Sequence, residues 1–247
     1  MELILQKIIA QKKQVLSLLP KSSSLQLALT KPGLSIIGEI KRCSPSAGDL
    51  APIDDPISLL KQYLAGGVAA VSVLTEQHYF KGSLKDLRRV KNFLNDQPIP
   101  VLRKDFIIDK AQLIEAVTAG ADAVLLIVSL LGEKLMEFLQ YCEILGLDAL
   151  VEVHELSELQ MAVAAGAKII GINNRNLEDF TVDIQHCLTL ISHIPEKIIT
   201  VAESGVTTPE QAKQLYEAGF DGVVIGSGLV TAADPQLFLK KMGVVTS

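Results

Sequence analysis

The sequence has no tryptophan, and aromatic residues make up only 4% of its 247 residues. Its core must therefore be aliphatic, and a hydrophobic content of 49% against 21% charged is enough to bury a large one. Cysteine is scarce as well. Cys43, Cys142 and Cys187 lie far apart and form no CxxC pair, which argues against a disulfide framework or a zinc site and fits a reducing compartment. No apolar run approaches the length of a membrane span. The stretch Leu3 to Leu19 carries Lys7, Lys12 and Lys13, so it lacks the clean apolar segment of a secretory signal. A cytoplasmic location away from membranes is expected. Long basic blocks are also missing and the net charge is −5, which argues against a nucleic-acid partner. A phosphorylated small molecule stays compatible with that charge, because local cations and helix N-termini outweigh a modest global balance.

What is present is a repeating alternation. Leu5, Ile8, Ile9, Leu16 and Leu19 recur at helical spacing up to Pro20, and a second short helix is expected at Leu25 to Leu29. Residues 1–33 read as a helical extension packed on the outside or across one end of the main fold. From residue 34 to 247 short β-rich runs alternate with amphipathic helices. The strand candidates cover residues 35–40, 68–74, 99–104, 122–128, 148–153, 168–173, 197–203 and 221–226. Helices intervene at Ser83 to Leu94, Lys110 to Ala119, Leu156 to Ala165 and Pro209 to Ala218. Eight strands separated by helices imply parallel pairing, and the length suits a one-domain (β/α)8 TIM barrel of about 250 residues. Helix ends repeat a pattern: Ala119-Gly120-Ala121, Ala165-Gly166-Ala167, Ala218-Gly219-Phe220 and Ala65-Gly66-Gly67-Val68, each followed at once by a strand. Glycine there suits the left-handed residue that closes a helix. An open doubly wound sheet is the rival architecture, but no GxGxxG follows the first strand.

Barrel enzymes carry their chemistry at the C-terminal strand ends. Here those ends read Glu39-Ile40-Lys41, Arg103-Lys104-Asp105, Glu152, Asn173-Asn174-Arg175, Glu203-Ser204-Gly205 and Gly226-Ser227-Gly228. Charge at the end of an apolar strand needs a reason, since burying it unpaired is costly. Glu39 and Lys41, two apart, share the inward face of the first strand, and Lys104, Glu152 and Asn173 are expected to face the same cavity. Neighbouring charges of this kind tune lysine and glutamate for acid–base work. The small residues of Ser204-Gly205 and Gly226-Ser227-Gly228 let backbone N–H groups approach an anion, where barrels often bind phosphate. The loop from Arg42 to Asp55 has the make-up of a lid, and Asp54-Asp55 that of a helix cap.

Eight segments carry a resemblance: GEIKRCSPSAG (38–48), VSVLTEQHYFKGS (71–83), VLRKDFIID (101–109), GADAVLLIV (120–128), LVEVHE (150–155), GINNRNL (171–177), VAESGV (201–206) and IGSGLV (225–230). They span nearly the whole chain, and together the sequence resembles the indole-3-glycerol-phosphate synthases. The resemblance implies a lyase that closes an indole ring on 1-(2-carboxyphenylamino)-1-deoxy-D-ribulose 5-phosphate with loss of CO2 and water, in tryptophan biosynthesis. It implies neither a metal nor an organic cofactor. It assigns Lys104 as proton donor to the developing oxyanion, Glu152 as acid for loss of water with Asn173 orienting it, Lys41 as the rival acid, and Glu39 as the group that orients the lysines and takes the final proton. Arg175 and Lys41 are suited to the substrate carboxylate. Phosphate falls to Ser44, Gly205, Gly226 and Ser227, with Ser204 in the same turn and Glu203 in support. Phe80, Phe106, Leu125, Ile127 and Leu177 resemble the wall for the aromatic ring. Members of the family can place an N-terminal aromatic over that ring; this chain has only Leu and Ile there.

Cys43 reads as a small filler. His154 reads as structural, pointing away from Glu152, and His78, His186 and His193 are too scattered for a metal site. The rival readings are another phosphate-binding barrel, such as a phosphoribosylanthranilate isomerase, whose Cys/Asp pair has no counterpart in Glu39 and Lys41, and a non-catalytic scaffold, which would not need Lys41, Lys104, Glu152 and Asn173 together. Association with other enzymes of the pathway stays open.

Overall fold

The computed structural model describes residues 23–46, 48–95, 97–176 and 179–243. The helix expected over Leu5 to Leu19 and the wall residue Leu177 lie outside the described residues. Among those described, eight parallel strands close into a barrel: β1 (Ser35–Ile40), β2 (Ala70–Leu74), β3 (Val101–Lys104), β4 (Ala123–Ile127), β5 (Asp148–Val153), β6 (Ile169–Asn173), β7 (Ile199–Glu203) and β8 (Gly222–Ile225). β8 returns to β1 with Ser35 opposite Gly222, and β1 pairs on its other edge with β2, Ile37 opposite Ala70. Three strands start two residues later than the apolar runs suggest. Val68, Ile99 and Ile198 spend their N–H groups on local bonds to Tyr63, Gln97 and Pro195 carbonyls, so they close turns instead of joining the sheet.

The recurrent helix ending is a chain-reversal device. Gly67, Gly120, Gly146, Gly166 and Gly219 all have φ between 74° and 98°. The residue after each donates its N–H to a carbonyl five positions back, as Ala121 does to Ala116 and Phe220 to Leu215. An aspartate then opens three of the strands. Asp122 accepts from Val101 N–H at 2.9 Å and Asp221 from Thr200 N–H at 2.7 Å, tying the strand starts to their neighbours.

Inside the barrel lie Ile37, Ala70, Leu102, Ala123, Leu125, Leu150, Ile169, Val201 and Val224, while a larger aliphatic layer fills the space between sheet and helices. The short helix Leu25–Leu29 belongs to the inner set. Leu25 and Leu29 are buried there, and Ser24 Oγ donates to Asp148 Oδ2 at 2.7 Å. Asp148 begins β5, so this helix closes the end of the barrel where the strands start. The opposite end is left open for chemistry.

Candidate active site

At the C-terminal strand ends the inner core gives way to buried charge. Glu39, Glu152 and Glu203 are each at most 5% exposed, and Ser72 is fully buried among them. Lys104, ending β3, places Nζ 3.3 Å from Glu152 Oε2 and 3.3 Å from Glu203 Oε2. Lys41 Nζ lies 3.0 Å from Glu39 Oε1, and Ser72 Oγ donates to Glu39 Oε2 at 3.4 Å. Asn173 Nδ2 donates to Glu152 Oε1 at 3.1 Å while its Oδ1 accepts from Arg175 N–H at 3.0 Å. Three carboxylates, two ammonium groups and an amide thus gather at one end of the barrel, as a Lys41–Glu39 pair beside a Lys104–Glu152–Glu203–Asn173 group.

Two glycines make room for it. A Cβ at Gly226 would come within 2.5 Å of Glu39 Oε1, and one at Gly171 within 2.2 Å of Glu203 Oε1. These strand positions are bare because carboxylates lie across them.

The set is electrostatically uneven. Burial pushes the Glu203 carboxyl up to about 8, and the negative charges of Glu152 and Glu39 reinforce this against the pull of Lys104. Burial acts in the same sense on Glu152, but Lys104, His154 and the Asn173 hydrogen bond overcome it and hold Glu152 below the usual carboxylate range. Glu39 is likewise held down against its burial by Lys41 and Lys104. Lys104 is desolvated, yet Glu203, Glu152 and Glu39 outweigh that and keep it an ammonium. Of the three carboxyls Glu203 is therefore the one most disposed to hold a proton, and Glu152 and Glu39 are the ones held as anions.

Above this floor opens a cavity of about 740 Å³. Of the residues singled out in the sequence, Glu39, Lys41, Ser44, Phe80, Lys104, Phe106, Leu125, Ile127, Glu152, Asn173, Arg175, Glu203, Ser204, Gly205, Gly226 and Ser227 all line it. Phe80 and Phe106 face each other with ring centroids 6.1 Å apart at 42°. Ser204 and Gly205 take φ of 66° and 89°, turning the chain sharply at the cavity rim. The Glu203 carboxylate points to Lys104 and Gly171 within the floor. Arg175 Nη1 donates to Ser46 Oγ at 3.0 Å and to the Phe180 carbonyl at 3.1 Å, bridging the loops after β1 and β6. The loop after β1 is a small ladder of Cys43–Ser44 with Gly48–Asp49, held by Arg42 on Asp86 at 2.5 Å. Asp55 caps the helix Pro56–Gly66.

Arg103 points out of the cavity. It is buried behind the sheet against Thr75, the Gln112 carbonyl, Asp105 and Glu115. One expectation is reversed. His154 does not point away from Glu152; its Nε2 lies 3.4 Å from Glu152 Oε1. Residues two apart leave a strand on the same side, so the spacing itself carried this signal. Sequence reading also passed over Ser72, the lone hydroxyl in an otherwise apolar strand, and Gly171.

Among the described residues no cluster of three or more His, Cys, Asp or Glu side chains is placed to hold a metal ion, and no helix is long and apolar enough to cross a membrane. The three cysteines are free thiols.

Residues 5–242 match a family model described as indole-3-glycerol phosphate synthase. The chain is 47% identical over 215 residues to the indole-3-glycerol phosphate synthase of Lachnoclostridium phytofermentans, covering 87% of this chain and 78% of that one. It is 46% identical over 213 residues to that of Thermoanaerobacter pseudethanolicus, covering 86% and 81%. Among solved structures, the barrel is similar to 3-hexulose-6-phosphate synthase from Salmonella typhimurium, with a TM-score of 0.71 at 15% identity over 86% of this chain and 98% of that one. It is also similar to a thiamine phosphate pyrophosphorylase from Pyrococcus furiosus, with a TM-score of 0.65 at 15% identity over 86% and 95%. At that identity the structural likenesses speak for the fold alone.

Proposed function

The chain belongs to the indole-3-glycerol phosphate synthase family, and from that premise we propose which of its residues perform the ring closure. The family's reaction is a decarboxylative cyclisation of a phosphorylated small molecule in tryptophan biosynthesis. The observation that carries the assignment is the position of Lys104 Nζ, held between Glu152 and Glu203 on the floor of the cavity.

The proton balance sets what the site must supply. Attack of the anthranilate ring carbon on the sugar-derived carbonyl needs a proton for the oxyanion. Loss of CO2 from the carboxylate restores aromaticity and needs none. Departure of the hydroxyl as water needs a second proton, and one ring-side proton must then leave. Two go in and one comes out. Lys104 gives the first, stabilising the oxyanion as it forms. Glu203, the carboxyl most disposed to hold a proton, replenishes it through their 3.3 Å contact. Glu152 delivers the second proton, passed to it through Lys104, with Lys41 the alternative donor, and the one proton consumed net per turnover is taken up from solvent as the site resets. Glu39 takes the proton that leaves.

Binding follows the cavity's division. Arg175 and Lys41 take the substrate carboxylate, the guanidinium through its planar fork. Phe80, Phe106, Leu125 and Ile127 flank the aromatic ring. Ser44 and the turns at Ser204-Gly205 and Gly226-Ser227 take the phosphate, where small residues let N–H groups close on an anion. The free cysteines and the biosynthetic role support a cytoplasmic enzyme.

The test is Lys104→Met. Loss of a general acid is expected to lower kcat by on the order of 10²–10⁴, with the fold intact by circular dichroism. Turnover near wild type in a folded K104M would remove Lys104 from the mechanism.

A further inference from the structure

His154 is a buried side chain in an unusual setting. It follows β5 directly, with its side chain 16% exposed, and both ring nitrogens are buried with no hydrogen-bond partner among the described residues. Buried unpaired nitrogens call for an explanation. Nε2 faces Glu152 Oε1 at 3.4 Å and Nδ1 faces Glu158 Oε2 at 3.5 Å. Glu158 is itself fixed, because its Oε2 accepts the backbone N–H of His154 at 2.6 Å in the first turn of the helix Leu156–Ala165. On the other side His186 Nε2 donates to the His154 carbonyl at 2.6 Å. The ring thus stands between the two carboxylates with one nitrogen toward each. Around it stand Glu152, Glu158 and His186, with Lys104, Asn173 and Glu203 beyond Glu152.

We propose that His154, backed by Glu158, is a positioning residue for Glu152: its Nε2 faces Glu152 Oε1 and, with the Asn173 amide on the same oxygen, holds the carboxylate toward Lys104. It does not itself line the cavity and reaches it only through Glu152. The inference rests on the role given to Glu152 above. His154 is one of the causes that hold Glu152 below the usual carboxylate range, after Lys104.

The test uses the purified full chain, the family's substrate and indole fluorescence of the product. His154→Gln is expected to lower kcat about tenfold with little change in KM, since the cavity wall is untouched. The acid limb of the kcat profile should move to higher pH, because Glu152, which must start as the anion to take its proton from Lys104, loses a neighbour that helps hold it low. Glu158→Gln, which leaves the imidazole in place but frees it, should give a smaller change in the same direction. In a Glu152→Gln background His154→Gln should have no further effect on the residual rate, as expected for residues that act as a unit. The inference is overturned by an unmoved kcat and acid limb in folded H154Q, by a wild-type profile in E158Q, or by a further loss on top of E152Q. If E152Q itself turns over normally, the role of Glu152 fails first; if E152Q is inactive and H154Q normal, the fault lies with His154 alone.

Discussion

The Glu203 carboxylate rests on the bare backbone of Gly171: a Cβ there would stand 2.2 Å from Glu203 Oε1. β6 and β7 are neighbours, with Gly171 opposite Val201 and Asn173 opposite Glu203. The glycine thus sits two positions below the paired Asn173–Glu203 level, and the Glu203 side chain folds down over it. Gly171→Ala forces that carboxylate off its site and away from Lys104. Overpacking of this kind costs about 1–3 kcal/mol. The expected outcome is a lower melting temperature together with a loss of kcat of more than tenfold. A G171A enzyme with full activity would show that Glu203 does not need this seat.

The raised Glu203 carboxyl makes a stability prediction with a definite sign. Its folded-state value of about 8 lies above the ordinary 4.5. Between those two values the native state keeps a proton that the unfolded chain has released, so stability falls as pH rises through that window. The carboxyls held low, Glu39 and Glu152, act below 4.5 and leave it clear. Glu203→Gln keeps the shape and removes the titration. Its melting temperature should fall less than that of wild type between about pH 5 and pH 8. Equal slopes in the two proteins would mean that Glu203 is ionised in the folded state.

The far end of the barrel supports a different test. Leu25 is fully buried within the barrel's inner cluster, on the helix that Ser24 ties to Asp148. Leu25→Ala leaves a cavity at the closed end and is expected to cost about 2–5 kcal/mol. The active-site side chains stand at the other strand ends, so KM should not change. Chemical denaturation followed by steady-state kinetics reads both; a raised KM would mean that the plug shapes the mouth.

The barrel was legible because its signals are local and repeat. A left-handed glycine after five of the helices, an aliphatic run after each such glycine and charged residues at several of the strand ends are all read one segment at a time. Glu39 and Lys41 were paired from their spacing alone. What could not be read was which of the converging charges touch. The reserve of a proton on Glu203 arises from three carboxylates on β1, β5 and β7 meeting one lysine on β3, a relation with no sequence spacing at all. Gly171 is intelligible only from Glu203 above it. His154 was a different kind of miss: its two-residue spacing from Glu152 already placed both on one side of the chain.

Arg175 has two jobs that one mutation would confuse. Its guanidinium reaches Ser46 on the loop after β1 and the Phe180 carbonyl on the loop after β6, and it faces the cavity where the substrate carboxylate is proposed to bind. Arg175→Ala removes both the loop bridge and the carboxylate partner. Ser46→Ala removes the bridge to the β1 loop and leaves the cation. A hydrogen bond to a charged group contributes about 1.5–3 kcal/mol, so a lost Arg–carboxylate contact should raise KM by about tenfold to a hundredfold with kcat less affected. If the carboxylate is what Arg175 serves, R175A shows that rise while S46A stays within about threefold of wild type. If both variants raise KM alike, the arginine matters for holding the loops, and the carboxylate must be sought at Lys41.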